Sequence, residues 1–259
     1  MMMARTVRTI MEAAGGSAWR LAALAVMLVV GSLTLPERTA AQVMDDHIYW
    51  MVLVDELEYA PGPESRPAAL DASFWLGGDY DRLWVNVEGD GATVETEGEF
   101  EAQALYSRLI SPFFEVQAGL GIETEYGETS SRSRGQLVVG LQGLAPYWFE
   151  IQPQVLVSQE GDVSLTLNAS YELLFTQRLI LEPELDLKAA VQEVPEFGIG
   201  SGLNDLSLAG RLRYELKREF APYVGVVWAK RYGGTADLAR AAGETVSRTR
   251  FVAGLRVWY

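Results

Sequence analysis

Apolar and polar side chains alternate with a period of two over most of the chain after residue 47. The clearest case is the segment 179–188, where Leu179, Leu181, Leu185 and Leu187 oppose Glu182, Glu184, Asp186 and Lys188. The segments 149–157, 206–216 and 250–259 repeat the pattern. Since successive side chains of a strand point to opposite faces, the pattern predicts strands with one apolar and one polar face.

Two all-β architectures fit such strands, a soluble sandwich and a transmembrane barrel. The alternating segments are about 10 to 16 residues long, whereas soluble strands are usually about 5–6 residues and tilted spanning strands about 9–11. Short and long connections alternate along the chain. Outer-membrane barrels show this alternation, because they have short periplasmic turns and longer outer loops. We therefore predict an all-β, transmembrane, antiparallel up-and-down β-barrel.

The alternation gives a strand count of ten to twelve. Two segments, 47–59 and 68–76, precede ten others: 79–89, 93–108, 112–124, 133–143, 146–158, 162–175, 178–192, 203–217, 220–232 and 247–259. If both early segments span, residues 77–80 form a periplasmic turn and the count is twelve. If residues 68–89 are instead one long bulged strand, the count is odd. We favour twelve, because bacterial single-chain barrels have even counts.

Aromatic residues beside the short turns predict an interfacial girdle that contacts outer-membrane lipid. They include Phe113, Tyr147, Trp148, Phe175 and Phe220. The last residue, Tyr259, ends an alternating strand, which is the ending that outer-membrane proteins typically present to the barrel assembly machinery.

The N-terminal segment has the features of a secretory signal. Basic residues Arg5, Arg8 and Arg20 precede an apolar run at 21–35, and small residues at 39–41 precede Gln42. The run is about 15 residues, shorter than a spanning helix needs. We expect residues 1–41 to be a signal peptide, 42–47 a short tail, and 48–259 a barrel in the outer membrane of a Gram-negative bacterium. Cleavage would change the formal charge of -14 by removing four Arg and two Glu.

The polar faces place many charged groups in the predicted barrel interior. Two interpretations stay open, a structural network of salt bridges and a narrow path or store for cations. The candidate luminal network consists of Glu150, Glu172, Glu182, Glu184, Asp186, Arg211, Arg213, Arg250 and Arg256.

Charge and residue types narrow the possible functions. A charge of -14 argues against a nucleic-acid partner. The chain has no Cys and a single His, His47, with no Gly-x-Ser-x-Gly motif, so we expect no enzyme activity. Met44, His47 and Met51 form a cluster of soft ligands suited to copper, with Cu(I) favoured by the thioethers. We prefer this cluster for copper and the lumen for charge balance.

Nine stretches of the chain resemble the outer-membrane copper resistance protein B family, also called CopB or PcoB. They include HIYWMVLVDELE at 47–58 and WLGGDYDRLW at 75–84. The others lie at 105–112, 140–150, 174–183, 198–205, 211–215, 218–225 and 251–255.

The resemblance implies an outer-membrane barrel in copper tolerance that binds or passes copper ions and works with a periplasmic multicopper oxidase. The alternative is a structural or general small-cation barrel without metal preference. Members of the family often carry a Met/His-rich segment before the barrel, but here only residues 42–46 separate signal from barrel. The resemblance therefore implies transport or a barrel-borne site rather than copper storage by a tail.

Overall fold

The computed structural model describes residues 47–60, 68–91, 98–127 and 131–259. One helix, α1 (Gly233–Ala241), and two short 3-10 helices at 146–148 and 195–197 accompany the strands. The strands are β1 (Tyr49–Tyr59), β2 (Ala68–Gly77), β3 (Asp81–Gly91), β4 (Gly98–Ser111), β5 (Phe114–Tyr126), β6 (Ser131–Ala145), β7 (Phe149–Ser158), β8 (Val163–Ser170), β9 (Leu173–Leu174), β10 (Leu179–Ala190), β11 (Gly202–Tyr214), β12 (Phe220–Arg231) and β13 (Ser247–Trp258).

The strands form one closed antiparallel barrel. Each strand pairs with its chain neighbour, and β1 pairs with β13 to close the wall. Strands β8 and β9 both pair with β10 and are two parts of one crossing. The barrel therefore has twelve crossings, which confirms the predicted architecture and the favoured count. The predicted strand over 162–175 is divided at Tyr171 and Glu172, opposite Pro183, which has no N–H to donate, while the register with β10 continues on both sides.

The outer surface is apolar along nearly every strand. Leu120 is 64% exposed and Phe251 73% exposed, although both lie in the middle of regular strands. Exposed aromatic side chains follow at the end with the short turns, among them Phe113, Tyr147, Trp148, Phe175 and Tyr259. Such an apolar band with an aromatic girdle is the surface that a lipid bilayer requires. No helix among the described residues is long and apolar enough to span a membrane.

The opposite end of the barrel carries the longer connections. The β10–β11 connection reaches across to β6, where the Arg134 guanidinium lies 4.5 Å from the centre of the Phe197 ring. Arg132 also donates a hydrogen bond to the carbonyl oxygen of Glu196. Helix α1 is attached to β11, because the Asn204 amide donates to Thr235 Oγ1 at 2.7 Å. These contacts fix two long connections over one mouth of the barrel.

A row of apolar side chains fills part of the interior. Cross-strand pairing aligns Met51, Trp75, Trp84 and Leu105 on β1 to β4, and the row continues through Gly119 to Val138 and Leu156. Trp84, Leu105, Val138 and Leu156 form a buried cluster against which Trp75 packs. The lumen is therefore packed along this row and polar elsewhere.

Candidate functional site in the barrel lumen

Five consecutive strands each contribute a carboxylate to one row on the luminal wall, here called the acidic row. It consists of Glu56, Asp71, Glu88, Glu101 and Glu123, each paired in register with the next. The row ends at Arg134, whose Nε lies 2.6 Å from Glu123 Oε2. Adjacent strands are about 4.8 Å apart, so these like charges are direct neighbours. Like charges directly opposite each other destabilise a sheet.

A second row of acids runs beside the first. Two residues further along the same faces, Asp90, Glu99 and Glu125 are paired in register and lead to Arg132. Arg250 approaches this row across the lumen, with Nη1 3.9 Å from Asp90 Oδ2. Acids are thus repeated on this part of the wall, and Glu182, Glu184 and Asp186 on β10 add negative charge from another part of the barrel.

A bulge in β1 turns two successive acids into the lumen. The register of β1 shifts between Val54 and Glu56 against β2, and between Val54 and Leu57 against β13. Both Asp55 and Glu56 therefore line the same cavity, although neighbouring strand residues normally face opposite ways. Glu58 then resumes the alternation and is buried.

Arg211 binds three carboxylates at once. Its Nη2 lies 2.5 Å from Glu56 and its Nε 2.7 Å from Glu58, and its Nη1 contacts Glu184. The Tyr223 hydroxyl donates to Glu58 at 3.2 Å, and the Asn168 amide donates to Glu184 at 2.6 Å. We call Arg211, Glu56, Glu58 and Glu184 the Arg211 cluster.

Arg213 and Arg256 extend the network. Arg213 lies 2.5 Å from Glu182 and also contacts Glu172. Arg256 contacts Asp55 and lies 3.5 Å from Glu172. Glu172 contacts both guanidiniums and lies on the same luminal face as Asn168 and Ser170.

The cavity enclosed by these groups has a volume of about 410 Å³. Its charged lining comprises ten carboxylates and four basic groups, a formal excess of six negative charges. The four basic groups are Lys188, Arg211, Arg213 and Arg256. In a confined space such an excess attracts cations and repels anions. The geometry therefore supports a cation-accepting lumen.

Comparison with known proteins gives the family. The family model described as copper resistance protein B precursor (CopB) matches residues 48–259. A copper resistance protein B from Escherichia coli is 39% identical over 215 residues, covering 83% of this chain and 71% of that protein. The chain belongs to the copper resistance protein B family. A copper resistance protein B homolog from Pseudomonas syringae pv. tomato is 38% identical over 218 residues, covering 84% and 72%.

Solved structures with a related shape include two porins. The KdgM porin is 14% identical with a TM-score of 0.43, covering 81% of this chain and 98% of that chain. The NanC porin is 11% identical with a TM-score of 0.48, covering 81% and 99%. Similarity at this level adds nothing to the strand pairing, from which the barrel is directly evident.

The predicted soft-ligand cluster is only partly within the described residues of this CopB-family chain. Met44 lies outside them. His47 is exposed, with its ring centre 6.2 Å from that of Tyr49, and Met51 is half-buried on β1 and lines the cavity. Within the described ranges, no three His, Cys, Asp or Glu side chains are grouped closely enough to hold a metal ion.

The structure places the predicted luminal residues on the inner wall but in separate groups. Glu184 and Arg211 are in one group, Glu172, Glu182, Arg213 and Arg256 in another, and Arg250 lies by the second row of acids. Asp186 accepts a hydrogen bond from Asn168 at 2.7 Å, and Glu150 lines the cavity.

Sequence reasoning missed Asp55, Glu56, Glu58 and Asp71. A signal for the first three was present, because two adjacent acids in an otherwise apolar strand break the period of two and so indicate a bulge. The luminal position of Asp71 was harder to predict, because small residues occupy both faces of β2 and obscure the apolar–polar alternation there.

Proposed function

We propose that this barrel contributes to copper tolerance by passing copper ions through its acidic lumen. The observation that supports the proposal best is the acidic row, in which Glu56, Asp71, Glu88 and Glu101 oppose one another on adjacent strands. Arg211 binds Glu56 and Lys188 lines the same cavity as Glu88 and Glu101, so two basic groups face four carboxylates. A purely structural network would avoid such pairs, because they cost stability. Mobile cations in the lumen would compensate the repulsion.

The donor chemistry favours passage over storage. The cavity lining offers carboxylate and amide oxygens and one thioether, Met51. Among divalent first-row metals, Cu²⁺ binds most tightly to a given set of nitrogen and oxygen donors, whereas oxygen donors alone suit harder ions as well. Since the described acids are spread along the wall, they offer successive weak contacts, as conduction requires.

A general small-cation barrel without metal preference is the second candidate. The observation in its favour is the lack, among the described luminal groups, of three ligands positioned to hold one metal. The two functions differ in selectivity between ions of equal charge: copper passage requires Cu²⁺ to enter faster than Mg²⁺, whereas a general cation barrel passes both at similar rates.

Reconstituted protein tests the proposal. Liposomes containing the barrel and an entrapped copper-sensitive dye should take up Cu²⁺, and a parallel Mg²⁺ dye measures preference. Planar-bilayer reversal potentials give cation-over-anion selectivity. In the double variant Glu88→Gln/Glu101→Gln, we expect a several-fold lower selectivity and slower Cu²⁺ entry.

The matched control for that variant is Gln103→Glu, which adds a carboxylate beside the same row and should increase selectivity. Uptake of Cu²⁺ no faster than through protein-free liposomes would contradict passage. Equal uptake of Cu²⁺ and Mg²⁺ would favour the general cation barrel.

We further propose that Met44, His47 and Met51 capture Cu(I) at the mouth of the lumen. Met51 supports this, because it lines the cavity while His47 lies four residues earlier and is exposed. Titration of Cu(I) into the wild type and a Met44/His47/Met51 triple-Ala variant tests the site. Equal affinity would move copper binding into the barrel or remove it.

The cellular context is also a proposal. We infer export by the signal peptide at 1–41, residence in the outer membrane, and cooperation with a periplasmic multicopper oxidase. Deletion of the gene should increase copper sensitivity, and fractionation should recover the protein without residues 1–41 in outer membranes. Unchanged sensitivity, or recovery in the soluble periplasm, would contradict these assignments.

A further inference from the structure

Arg211 connects two walls of the barrel. It lies on β11, and its partner Glu184 lies on the adjacent strand β10. Glu56 and Glu58 lie on β1, which β12 and β13 separate from β11 in the wall. The guanidinium therefore reaches across the lumen, and all three of its nitrogens bind carboxylates.

Two of the three carboxylates also accept hydrogen bonds from groups other than Arg211. Tyr223 donates a hydrogen bond to Glu58, and Asn168 donates to Glu184. The β1 bulge fixes Glu56 next to Asp55, which contacts Arg256. The carboxylates of Glu58 and Glu184, and the backbone of Glu56, are thus positioned by groups other than Arg211, as in a preorganised binding site.

One guanidinium does not balance three carboxylates. The Arg211 cluster has a formal charge of minus two, and without Arg211 its three carboxylates would have a formal charge of minus three, which favours a divalent cation. The three carboxylates surround the planar Arg211 guanidinium, which has N–H donors on three sides. In this arrangement the carboxylates are too far apart to ligate a bare metal ion together. A divalent cation that keeps part of its water shell fits such a spacing better.

We propose that Arg211 keeps the lumen free of a tightly held divalent ion: its guanidinium occupies a site for a hydrated divalent cation built from Glu56, Glu58 and Glu184, and so prevents passing ions from being trapped there. This inference deepens the proposed cation passage and rests on it for its physiological meaning. The site itself is measurable without transport.

The test compares purified, refolded wild type with Arg211→Gln. Equilibrium dialysis against Cu²⁺, and separately Mg²⁺, counts bound ions per barrel in detergent. Arg211→Gln should retain one more divalent ion than wild type. In bilayers, its K⁺ current should be blocked at a Cu²⁺ concentration at least tenfold lower, and added guanidinium should relieve the block better than equal Na⁺.

Two matched variants separate the site from general charge effects. Arg250→Gln removes a luminal guanidinium outside the Arg211 cluster and should bind no additional ion. Arg211→Gln/Glu58→Gln also removes one carboxylate of the site and should lose the ion that Arg211→Gln gains. If Arg211→Gln does not fold, Arg211→Lys keeps the charge without the three-sided contact and should show intermediate retention.

A folded Arg211→Gln that binds ions and is blocked like wild type overturns the inference. So does a gain of the same size in Arg250→Gln, or wild-type behaviour of Arg211→Lys where Arg211→Gln is unfolded. Because dialysis does not need conduction, a barrel that fails to pass copper but gains the ion would refute the proposed function alone.

Discussion

At the scale of single residues, the luminal arginines determine how much negative charge the interior can hold. Arg213 is 2% exposed and is the basic partner of Glu182, while Glu172 is shared with Arg256. Breaking a buried ion pair from one side is costly, because the remaining charge stays desolvated. We therefore expect these arginines to contribute to stability.

We expect Arg213→Met to lower the free energy of unfolding by about 3 kcal/mol. This value is at the low end of the range for broken buried ion pairs, because Glu172, one of the two partners of Arg213, is partly exposed. Urea titration of tryptophan fluorescence in detergent measures the loss. The double variant Arg213→Met/Glu182→Gln removes the stranded charge and should recover part of it. A double variant less stable than the single would contradict this account.

Two glycines of β5 offer a second test at this scale. A Cβ at Gly119 would lie 2.0 Å from the carbonyl oxygen of Ala104, which is backbone of the paired strand. A Cβ at Gly121 would lie 3.3 Å from Val138 Cγ2, a side-chain atom that can move. The close approach of β4 and β5 thus depends on Gly119.

Gly119→Ala should abolish the folded, heat-modifiable species on gels, because β4 and β5 cannot separate without breaking their ladder. Gly121→Ala is the matched control and should cost about 1 kcal/mol. Similar behaviour of the two variants would show that the predicted backbone collision is relieved elsewhere.

At the scale of elements, the β1 bulge connects local geometry to the charge network. One extra residue, Asp55, lets both Asp55 and Glu56 face the lumen while Val54 and Leu57 stay on the outer face. Without it, Val54, Glu56, Leu57 and Glu58 would alternate regularly. The bulge therefore adds one luminal acid and leaves the alternation of lipid-facing residues unchanged.

Deletion of Asp55 should leave a folded barrel, because the alternation on either side stays in phase. Deletion of Leu57 is the control, since it would turn Glu58 toward lipid and Tyr59 toward the lumen, a change that destabilises membrane barrels. Heat-modifiable migration after refolding into lipid compares them. Failure of both deletions, or folding of both, would contradict the assigned role of the bulge.

The secondary-structure elements differ in how far the sequence alone could predict them. The twelve crossings were predictable, because a period of two is local and each strand carries it. Helix α1 was not, since nine residues form a marginal helix without a tertiary contact such as that between Asn204 and Thr235. The division at Tyr171 and Glu172 was not predictable from that segment alone, because it lies opposite Pro183 of the paired strand, which has no N–H to donate.

The acidic row could not be predicted without knowing the register in which the strands pair. Asp71, Glu88 and Glu101 become neighbours only when three strands pair in one phase, and a slip of one residue would move each to the other face. The sequence predicted acids inside the barrel but not which ones meet. The choice between a salt-bridge network and a cation path depended on that information.

At the scale of the whole molecule, the lumen carries a formal excess of six negative charges in about 410 Å³. We expect the field of these charges, rather than one binding site, to give most of the cation selectivity. The Debye length is about 10 Å at 0.1 M salt and about 3 Å at 1 M. Screening should therefore act across the cavity at high salt.

Reversal potentials under a fixed KCl ratio, measured near 0.1 M and near 1 M mean concentration, test this expectation. The cation-over-anion permeability ratio should fall several-fold at high salt in wild type, and less steeply in Glu88→Gln/Glu101→Gln, which starts with fewer charges. A ratio independent of salt would mean that close contacts such as the Arg211 cluster, which bulk ions screen poorly, select the cations. In that case Arg211→Gln should change the ratio at every salt concentration, while Arg250→Gln should not.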